Sequence, residues 1–268
     1  MAIQPTQPQG IGGVLDTTFQ LYKASLGVVW PLCLLLSLAG TPPNIYIAMT
    51  SSAGALTDPA AMLSAMADPV YWLVYLVTLA ALMCVTGALY LKQRAVGTGE
   101  ELSAGAALQT ALGRVLSLVV MVILFIVAFA IGSLLLIIPG MILLVSLMLG
   151  TSLIMFEGKG PVAALTGSHN LVWGNWWRTF AILSIGGILV LVIYMAIGLA
   201  VGVVTPFIGL GMDDLGMYSL VSALLIGVVM NILVTPFFSA LLIALYWDLK
   251  LRKQGGDLAA RVGALNAA

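Results

Sequence analysis

Charged side chains are scarce in this sequence, and their scarcity excludes a soluble domain. Only 7% of the residues are Asp, Glu, Lys or Arg, whereas 62% are hydrophobic; a soluble domain is about 25% charged and about 45–50% apolar. There is one histidine, His169, and there are two cysteines, Cys33 and Cys84. Their spacing does not resemble a metal site, so we expect no metal and no other cofactor. The composition instead predicts an integral membrane protein.

Six charge-poor stretches are long enough to cross a membrane as helices. A bilayer core of about 30 Å requires about 20 consecutive apolar residues. The predicted spans cover residues 24–47, 70–91, 115–138, 141–156, 179–204 and 218–247. The third and fourth spans form one uncharged tract, in which Pro139 and Gly140 favour a reversal of the chain. We therefore predict an all-α integral membrane protein, a single domain over residues 1–268 in which six transmembrane helices form three hairpins.

The positive charges are all on one side of these predicted spans. All ten Lys and Arg residues lie before the first span, after the sixth, or in the loops that follow even-numbered spans. In the other three loops the only charged residues are acidic, and they are Asp58, Asp68, Asp213 and Asp214. Positive loop residues are retained in the cytoplasm, so we predict a multi-pass protein of the bacterial inner membrane with both termini cytoplasmic. The balance of ten basic and ten acidic residues gives no indication of nucleic-acid binding.

A short amphipathic segment precedes each odd-numbered span. These segments, residues 11–23, 103–114 and 161–173, have helical periodicity but are too polar or too short to cross the bilayer. We predict that they form helices along the cytoplasmic interface of the membrane. Phe19 and Tyr22 share the apolar face of the first segment, and membrane lipids are their expected contacts.

The stretch LTGSHNLVWGNWWRTF, residues 165–180, contains the histidine and three of the six tryptophans. Tryptophan favours the headgroup zone of a membrane, and an arginine at the same level can reach phosphates. The stretch is interpreted as a membrane anchor or, more specifically, as a lipid-headgroup site. The candidate lipid or interface contacts are Phe19, Tyr22, His169, Trp173, Trp176, Trp177 and Arg178. A catalytic pair of Ser168 and His169 is not expected, because adjacent side chains on a helix point in different directions.

The interior of the predicted spans contains no Asp, Glu, Lys, Arg or His. Proton relays and ion-coupled carriers depend on such residues, so ion-coupled transport is disfavoured. The polar exception is Asn231 in the sixth span, followed by Thr235 and Pro236. Proline in a helix interior predicts a kink or break at this point. We interpret it either as a packed kink or as a substrate site near the midplane of the membrane.

Two carboxylates, Asp16 and Glu157, are predicted where interfacial helices meet the spans. A carboxylate in such a partly shielded place is costly unless it is paired. We expect both to have structural roles and to pair with cytoplasmic basic residues. Arg94, Arg114 and Arg178 are the expected partners, because a guanidinium can bind a carboxylate with two hydrogen bonds.

Two longer motifs resemble a known group of bacterial membrane proteins. The first is the opening IGGVLDTTFQLYK, and the second runs from IPGMILLV through a span ending in Glu157 to GNWWRTF. Both are similar to the family of the glycerophosphoryl diester phosphodiesterase membrane domain and its uncharacterised relatives. The positions that match these motifs are Gly12, Leu15, Asp16, Phe19, Leu21, Tyr22, Pro139, Gly140, Glu157, Ala164, Ser168, Gly174, Trp176 and Phe180. The resemblance implies the fold and the topology, and we expect it to transfer no catalytic role, because the residues above do not match the phosphodiesterase domain that carries the catalysis in that family.

Three functions are compatible with this sequence. The preferred hypothesis is a non-enzymatic inner-membrane protein that acts through lipids or a partner protein at its cytoplasmic interface, where the partner is another membrane protein or a second copy of the chain. The alternative is a permease or exporter for a neutral or hydrophobic solute that uses a broken sixth helix. A membrane enzyme is the third hypothesis, for which only His169, Glu157 and Asp16 offer suitable chemistry.

Overall fold

The six predicted spans are present in a computed structural model that describes residues 2–50, 59–209 and 215–266. Every element of regular secondary structure assigned in these residues is an α-helix. The helical segments long and apolar enough to cross a membrane are Ile11–Ile47, Pro69–Thr98, Val115–Leu135, Ile137–Glu157, Trp176–Val204 and Leu224–Gly255. They confirm an all-α architecture of the multi-pass membrane type.

Eleven helices are assigned within the described part of the chain. They are α1 (Ile11–Ala39), α2 (Pro42–Thr50), α3 (Pro59–Met66), α4 (Pro69–Thr98), α5 (Ala104–Leu112), α6 (Val115–Leu135), α7 (Ile137–Leu147), α8 (Gly150–Glu157), α9 (Pro161–Val172), α10 (Trp176–Gly209) and α11 (Leu215–Asn266). The centre of the bundle is α11, which packs against α1, α4 and α10. Every residue of the stretch 239–249 in this helix is buried.

The first amphipathic segment and the first span form one helix, which differs from the predicted separate interfacial helix. Lys23 and Ala24, at the predicted boundary, are both good helix formers, and α1 runs through them without interruption. The helix ends at Ala39 instead, with Gly40 as its C-cap just before Thr41. A residue that precedes proline disfavours the helical conformation, and Thr41 precedes Pro42.

The third and fourth spans form the predicted hairpin, but the reversal is not at Pro139 and Gly140. The chain turns at Leu136, whose backbone is extended (φ −167°, ψ 151°). Pro139 lies in the first turn of α7, where a missing N–H costs no helical hydrogen bond. Gly140 lies where α7 packs tightly on α6: a Cβ atom there would meet the Ser133 Oγ at 2.3 Å. Its role is close helix packing.

Of the two interpretations of the sixth span, the broken helix is wrong, and the packed kink stays a prediction. α11 is continuous from Leu215 to Asn266, with Pro236 inside it. Thr235 donates a 3.1 Å hydrogen bond to Asn231 Oδ1, and Asn231 donates to the carbonyl of Gly227 at 3.0 Å. Local hydrogen bonds within the helix therefore occupy both polar side chains, and packing against α1 and α4 holds the helix continuous.

The other two predicted interfacial segments are short helices. α5 begins after Ser103, whose hydroxyl accepts a hydrogen bond from the N–H of Ala106 at 3.1 Å. α9 packs one face into the bundle, where Ala164, Ser168 and Val172 are fully buried. The third segment is thus part of the core as well as of the surface.

At the end of the bundle opposite to the basic residues, an aspartate caps the N-terminus of α4. Asp68 precedes α4 and accepts a 2.9 Å hydrogen bond from the N–H of Val70, and it also accepts one from the Tyr46 hydroxyl. The bond from Tyr46 and the bond from Val70 lower the pKa of Asp68 below its ordinary value. The other acids predicted on this side, Asp58, Asp213 and Asp214, lie outside the described residues.

Candidate functional site

Several helix ends meet at one end of the bundle, which we call the basic end. The start of α1, the C-termini of α4 and α8, the start of α10 and the distal part of α11 come together there. The Lys and Arg residues that make contacts at this end are Lys92, Arg94, Arg114, Lys159, Arg178, Lys250, Arg252 and Lys253. Residues that are distant in sequence thus form one positively charged surface.

Glu157, at the C-terminus of α8, is the carboxylate of the first ion-pair cluster. Lys250 donates to its Oε1 at 2.6 Å, Lys159 lies 2.9 Å from its Oε2, and the Tyr246 hydroxyl donates to Oε1 at 2.7 Å. The predicted pairing of Glu157 is confirmed, but its partners are lysines on α11 and in the α8–α9 loop. Two cations share this one carboxylate, so the cluster carries a net positive charge.

Asp248 is the carboxylate of the second cluster, and sequence reasoning did not select it. It is fully buried, with Arg178 at 2.6 Å and Arg252 at 3.0 Å. Its second oxygen accepts a 2.8 Å hydrogen bond from the N–H of Gln9, whose carbonyl accepts hydrogen bonds from both arginines. The only signal in the sequence is one aspartate in the otherwise apolar run LIALYWDL.

The arginines do not pair as predicted with Asp16 and Glu157. Arg114 donates at 2.8 Å to the carbonyls of Ile154 and Met155, and so caps the C-terminus of α8. This position suits a cation, because the carbonyl end of a helix is partly negative. The guanidinium of Arg94 lies over the ring of Phe156, 5.2 Å from its centroid.

The predicted pairing of Asp16 is wrong. Its side chain is exposed on α1, and no described residue forms a hydrogen bond or ion pair with it. The apolar face of α1 turns Val14, Thr18 and Leu21 into the bundle, which leaves Asp16 on the opposite side of the helix. Solvation at that exposed position removes the need for a partner.

A polar pocket of about 260 Å³ opens beside the Glu157 cluster at the basic end, and we call it the α4–α11 pocket. Its lining residues are Gln4, Arg94, Phe156, Tyr246, Trp247, Lys250, Leu251 and Gln254. Phe156 and Tyr246 form its aromatic wall, with ring centroids 5.3 Å apart at an interplanar angle of 64°. Arg94 lies against one of these rings and Lys250 against the other. The pocket therefore combines two cations with amide and aromatic groups.

The tryptophans of the predicted anchor have different surroundings. Trp173 and Trp177 are 60% and 78% exposed. Trp176 is half-buried, stacks on Phe180 at 5.3 Å, and donates a 3.4 Å hydrogen bond to the carbonyl of Ile142 in α7. His169 has its ring 5.0 Å from that of Trp173. The exposed rings form an amphipathic surface beside the basic end.

An apolar groove of about 450 Å³ runs along these rings. Its lining residues are Ile138, Ile142, Trp173, Gly174, Trp176 and Trp177. Arg178 follows the groove in sequence but points to Asp248, so its guanidinium is already paired. The groove and the α4–α11 pocket therefore differ in character, one apolar and the other cationic.

Phe19 and Tyr22, the candidate contacts on α1, pack on a single ring of α11. Their ring centroids lie 5.4 Å and 5.8 Å from that of Phe237. Phe19 keeps part of its ring exposed, and Phe237 is buried. The two side chains hold α1 on the central helix, and Phe19 retains the larger exposed surface for lipid.

Ser168 closes an interruption of the fourth span. α7 ends at Leu147 and α8 starts at Gly150, which leaves backbone groups without helical partners. The Ser168 hydroxyl donates to the carbonyl of Ser146 at 2.7 Å and accepts from the N–H of Leu149 at 3.1 Å. This buried hydroxyl is thus committed to the backbone and is not directed at His169.

The candidate midplane residues belong to two different environments. Asn231 lines a cavity of about 440 Å³ between α1, α2, α4 and α11, together with Ser37 and Thr41. Pro236 faces the basic end, where its carbonyl accepts a 2.8 Å hydrogen bond from the buried side chain of Gln93. Gln93 also bonds Ser25 and Ser239. Sequence reasoning placed Gln93 in a loop, but α4 continues through it to Thr98.

Comparison with known proteins gives a family but no function. Residues 47–249, which include Arg94, Glu157 and Asp248, match a family described as a domain of unknown function, DUF7847. Neither the curated proteins nor the solved structures provide a match to the chain. Since the matched region covers most of the sequence, the chain belongs to the family of the domain of unknown function DUF7847.

Proposed function

We propose that this chain is a non-enzymatic protein of the bacterial inner membrane that binds anionic lipids at its basic end, with that end in the cytoplasm. One observation carries the proposal, the excess of positive charge in this part of the bundle. Glu157 is shared by two lysines and Asp248 by two arginines, while Arg94 and Arg114 have no carboxylate partner among the described residues. Anionic headgroups attract such clusters, and each basic residue near the membrane surface adds about 1 kcal/mol to the binding free energy.

The neighbouring aromatic surface supports lipid as the partner. Trp173 and Trp177 have exposed rings, and tryptophan is enriched at the level of lipid headgroups. The apolar groove beside them has the character needed for an acyl chain, and the cationic clusters have the character needed for a headgroup. A partner protein would meet the same surface, and it is the other outcome of the tests below.

The environments of the nucleophile candidates support a non-enzymatic role. The Ser168 hydroxyl is used by the backbone of the fourth span, and Glu157 is used by Lys159, Lys250 and Tyr246. Relationship to the membrane domain of glycerophosphoryl diester phosphodiesterases is part of the same proposal. It rests on the two sequence motifs described above.

The lipid proposal is tested by native mass spectrometry of the detergent-solubilised protein with equal amounts of phosphatidylglycerol and phosphatidylethanolamine. We expect the anionic lipid to be retained preferentially, with the preference reduced at high salt because screening weakens surface electrostatics. Equal retention of the two lipids would contradict the proposal. Co-purification of one protein in stoichiometric amount, without lipid preference, would favour the partner-protein interpretation.

The orientation is tested separately, by labelling of single cysteines in a background without Cys33 and Cys84. A cysteine in place of Lys253, exposed at the basic end, should react only after the membrane is permeabilised in whole cells, because the proposed location is cytoplasmic. A cysteine in place of Thr41, at the opposite end, should react in intact cells. The reverse pattern would place the basic end outside and remove the basis of the proposal.

A permease for a neutral solute is the second candidate, and the cavity beside Asn231 favours it. The cavity offers hydroxyl and amide groups among apolar side chains, as a neutral solute requires. Between this cavity and the basic end lie the buried side chains of Gln93, Ser239 and Phe237. Transport would therefore require a conformation in which these side chains move apart. Proteoliposomes that take up glycerol no faster than protein-free vesicles would count against this candidate for that solute.

A further inference from the structure

We infer that the α4–α11 pocket binds a single phosphate group, supplied either by a lipid headgroup or by free phosphate. This inference deepens the proposed function, since it assigns one residue set and one chemical group within the basic end. Only the lipid source of the phosphate rests on the proposed function, because the geometry of the pocket does not depend on that proposal. Arg94 and Lys250 are the two cations that would hold the phosphate.

Arg94 is the main reason for this inference. Its side chain is half-buried, and stacking 5.2 Å over the ring of Phe156 sets the position of its guanidinium. No described residue accepts a hydrogen bond from this guanidinium or forms an ion pair with it. An arginine has five N–H donors in a planar fork that matches the oxygens of a phosphate. A preoriented guanidinium without an anion, facing a pocket, is therefore a binding group.

Lys250, which lies against the ring of Tyr246, supplies the second cation of the pocket. Its Nζ lies 5.4 Å over the ring of Tyr246, whose centroid is 5.3 Å from that of Phe156. Two of its three N–H donors are used by Glu157 and by the Tyr246 hydroxyl. The third donor is available to a ligand. Both cations line the same pocket, so we expect a phosphate bound there to contact them through different oxygens.

The charge balance around the pocket favours an anion. Glu157 is the carboxylate nearest to Lys250, and Lys159 also pairs with it. The positive charge of Arg94 is consequently not cancelled within the pocket. Gln4 and Gln254, whose amide groups donate hydrogen bonds, line the rest of the polar surface.

The size and polar lining of the pocket suit a small anion such as phosphate. Its volume of about 260 Å³ lies below the range of about 300–1,000 Å³ that is typical for drug-sized ligands. A phosphate has several terminal oxygens, so it can accept hydrogen bonds from a guanidinium, an ammonium and an amide at the same time. A phosphate monoester also carries about −1.5 to −2 charges at pH 7, against −1 for a carboxylate, so the two cations attract it more strongly.

The test measures binding by calorimetry to the full chain in a non-ionic detergent. The probes are dihexanoyl phosphatidate, dihexanoyl glycerol, which lacks the phosphate, and inorganic phosphate. We expect phosphatidate to bind and dihexanoyl glycerol not to bind. The variant Arg94→Gln should weaken phosphatidate binding by about tenfold or more, the effect of losing one charge-assisted hydrogen-bond pair.

Two control variants separate a defined site from a diffuse surface charge. Lys23→Gln removes one exposed cation from α1, outside the pocket, and should change the affinity by less than about twofold. Arg94→Lys retains the charge but not the planar fork, and should recover only part of the lost affinity. Thermal unfolding of each variant shows whether the fold is retained. Equal affinity of Arg94→Gln and wild type, or equal losses for Arg94→Gln and Lys23→Gln, would overturn the inference.

The probes also distinguish this inference from the proposed function. Binding of phosphatidate well above inorganic phosphate, lost in Arg94→Gln, supports the inference with lipid as the source. Equal binding of the two, with the same dependence on Arg94, supports a free-phosphate site and counts against the lipid proposal. Preference for anionic lipid without dependence on Arg94 supports the proposed function and overturns the phosphate pocket.

Discussion

The guanidinium of Arg178, at the start of α10, lies 2.6 Å from the carboxylate of Asp248, which is fully buried in α11. Arg252 lies 3.0 Å from the same carboxylate, and the backbone of Gln9 bonds all three side chains. This arrangement connects the segment before α1 to two of the spans. The carboxylate tolerates burial because cations and a backbone N–H satisfy it.

Asp248→Asn should destabilise the protein strongly. The variant leaves two arginines facing a neutral amide, and breaking a buried pair costs about 3–5 kcal/mol. We expect a clearly lower midpoint of thermal unfolding in detergent. Asp16→Asn is the matched control, because Asp16 is exposed and has no partner among the described residues, and it should melt like wild type. Similar midpoints for the two variants would contradict this role of Asp248.

Glu157→Gln should have a smaller effect that depends on salt. The Glu157 side chain is 21% exposed, and its lysine partners are more exposed still. An ion pair of this kind contributes up to about 1 kcal/mol, and salt screens it. The difference in unfolding midpoint between wild type and the variant should therefore narrow from low to high ionic strength. A difference in midpoint that does not change with salt would contradict an ion-pair origin of the effect.

Ser168→Ala should destabilise the fold without involving His169. The variant leaves the carbonyl of Ser146 and the N–H of Leu149 unpaired in a buried place, and each unsatisfied group costs about 1–3 kcal/mol. Thermal unfolding measures the loss. Thr166→Ala is the control on the same helix, because its exposed hydroxyl bonds only carbonyls of its own helix. If Ser168→Ala melts like Thr166→Ala, the hydroxyl does not hold the interrupted span.

Gly140→Ala should separate the α6–α7 hairpin. A Cβ atom at this position would lie 2.3 Å from Ser133 Oγ and 3.0 Å from Ser133 Cα, so the backbones must move apart. Overpacking of this kind costs about 1–3 kcal/mol. Gly198→Ala, in α10, is the control because a Cβ atom there meets nothing within 4 Å of it. Thermal unfolding should show a loss for the first variant only, and equal midpoints would refute tight packing at Gly140.

The six spans and the one-sided distribution of basic residues could be predicted, since length and charge are local properties of the sequence. The N-cap of Asp68 was also predictable, because it depends only on the residues that follow it. Glu157 was recognised as a paired carboxylate, but its partner Lys250 lies 93 residues away. Pairings at that separation depend on how the helices pack, which periodicity does not report.

Some predictions failed because a local signal was outweighed by packing. The permease hypothesis required a broken helix at Pro236, yet α11 stays continuous where α1 and α4 pack against it. Pro139 and Gly140 predicted a turn, and the chain turns three residues earlier at Leu136. Proline costs about 3 kcal/mol in the helix interior at Pro236 and almost nothing in the first turn at Pro139, while the tertiary contacts extend over whole helices.

The sequence by itself determined that this is a membrane protein and how many spans it has, because a bilayer core accepts only long uncharged helices. It also determined that the basic residues gather at one end, since the loops that contain them alternate in position. Tertiary structure alone decided that Asp248 is enclosed by two arginines while Arg94 is left without an anion. The physical reason is that a charge near the membrane surface is stabilised by whichever opposite charge the packed helices bring within a few ångströms.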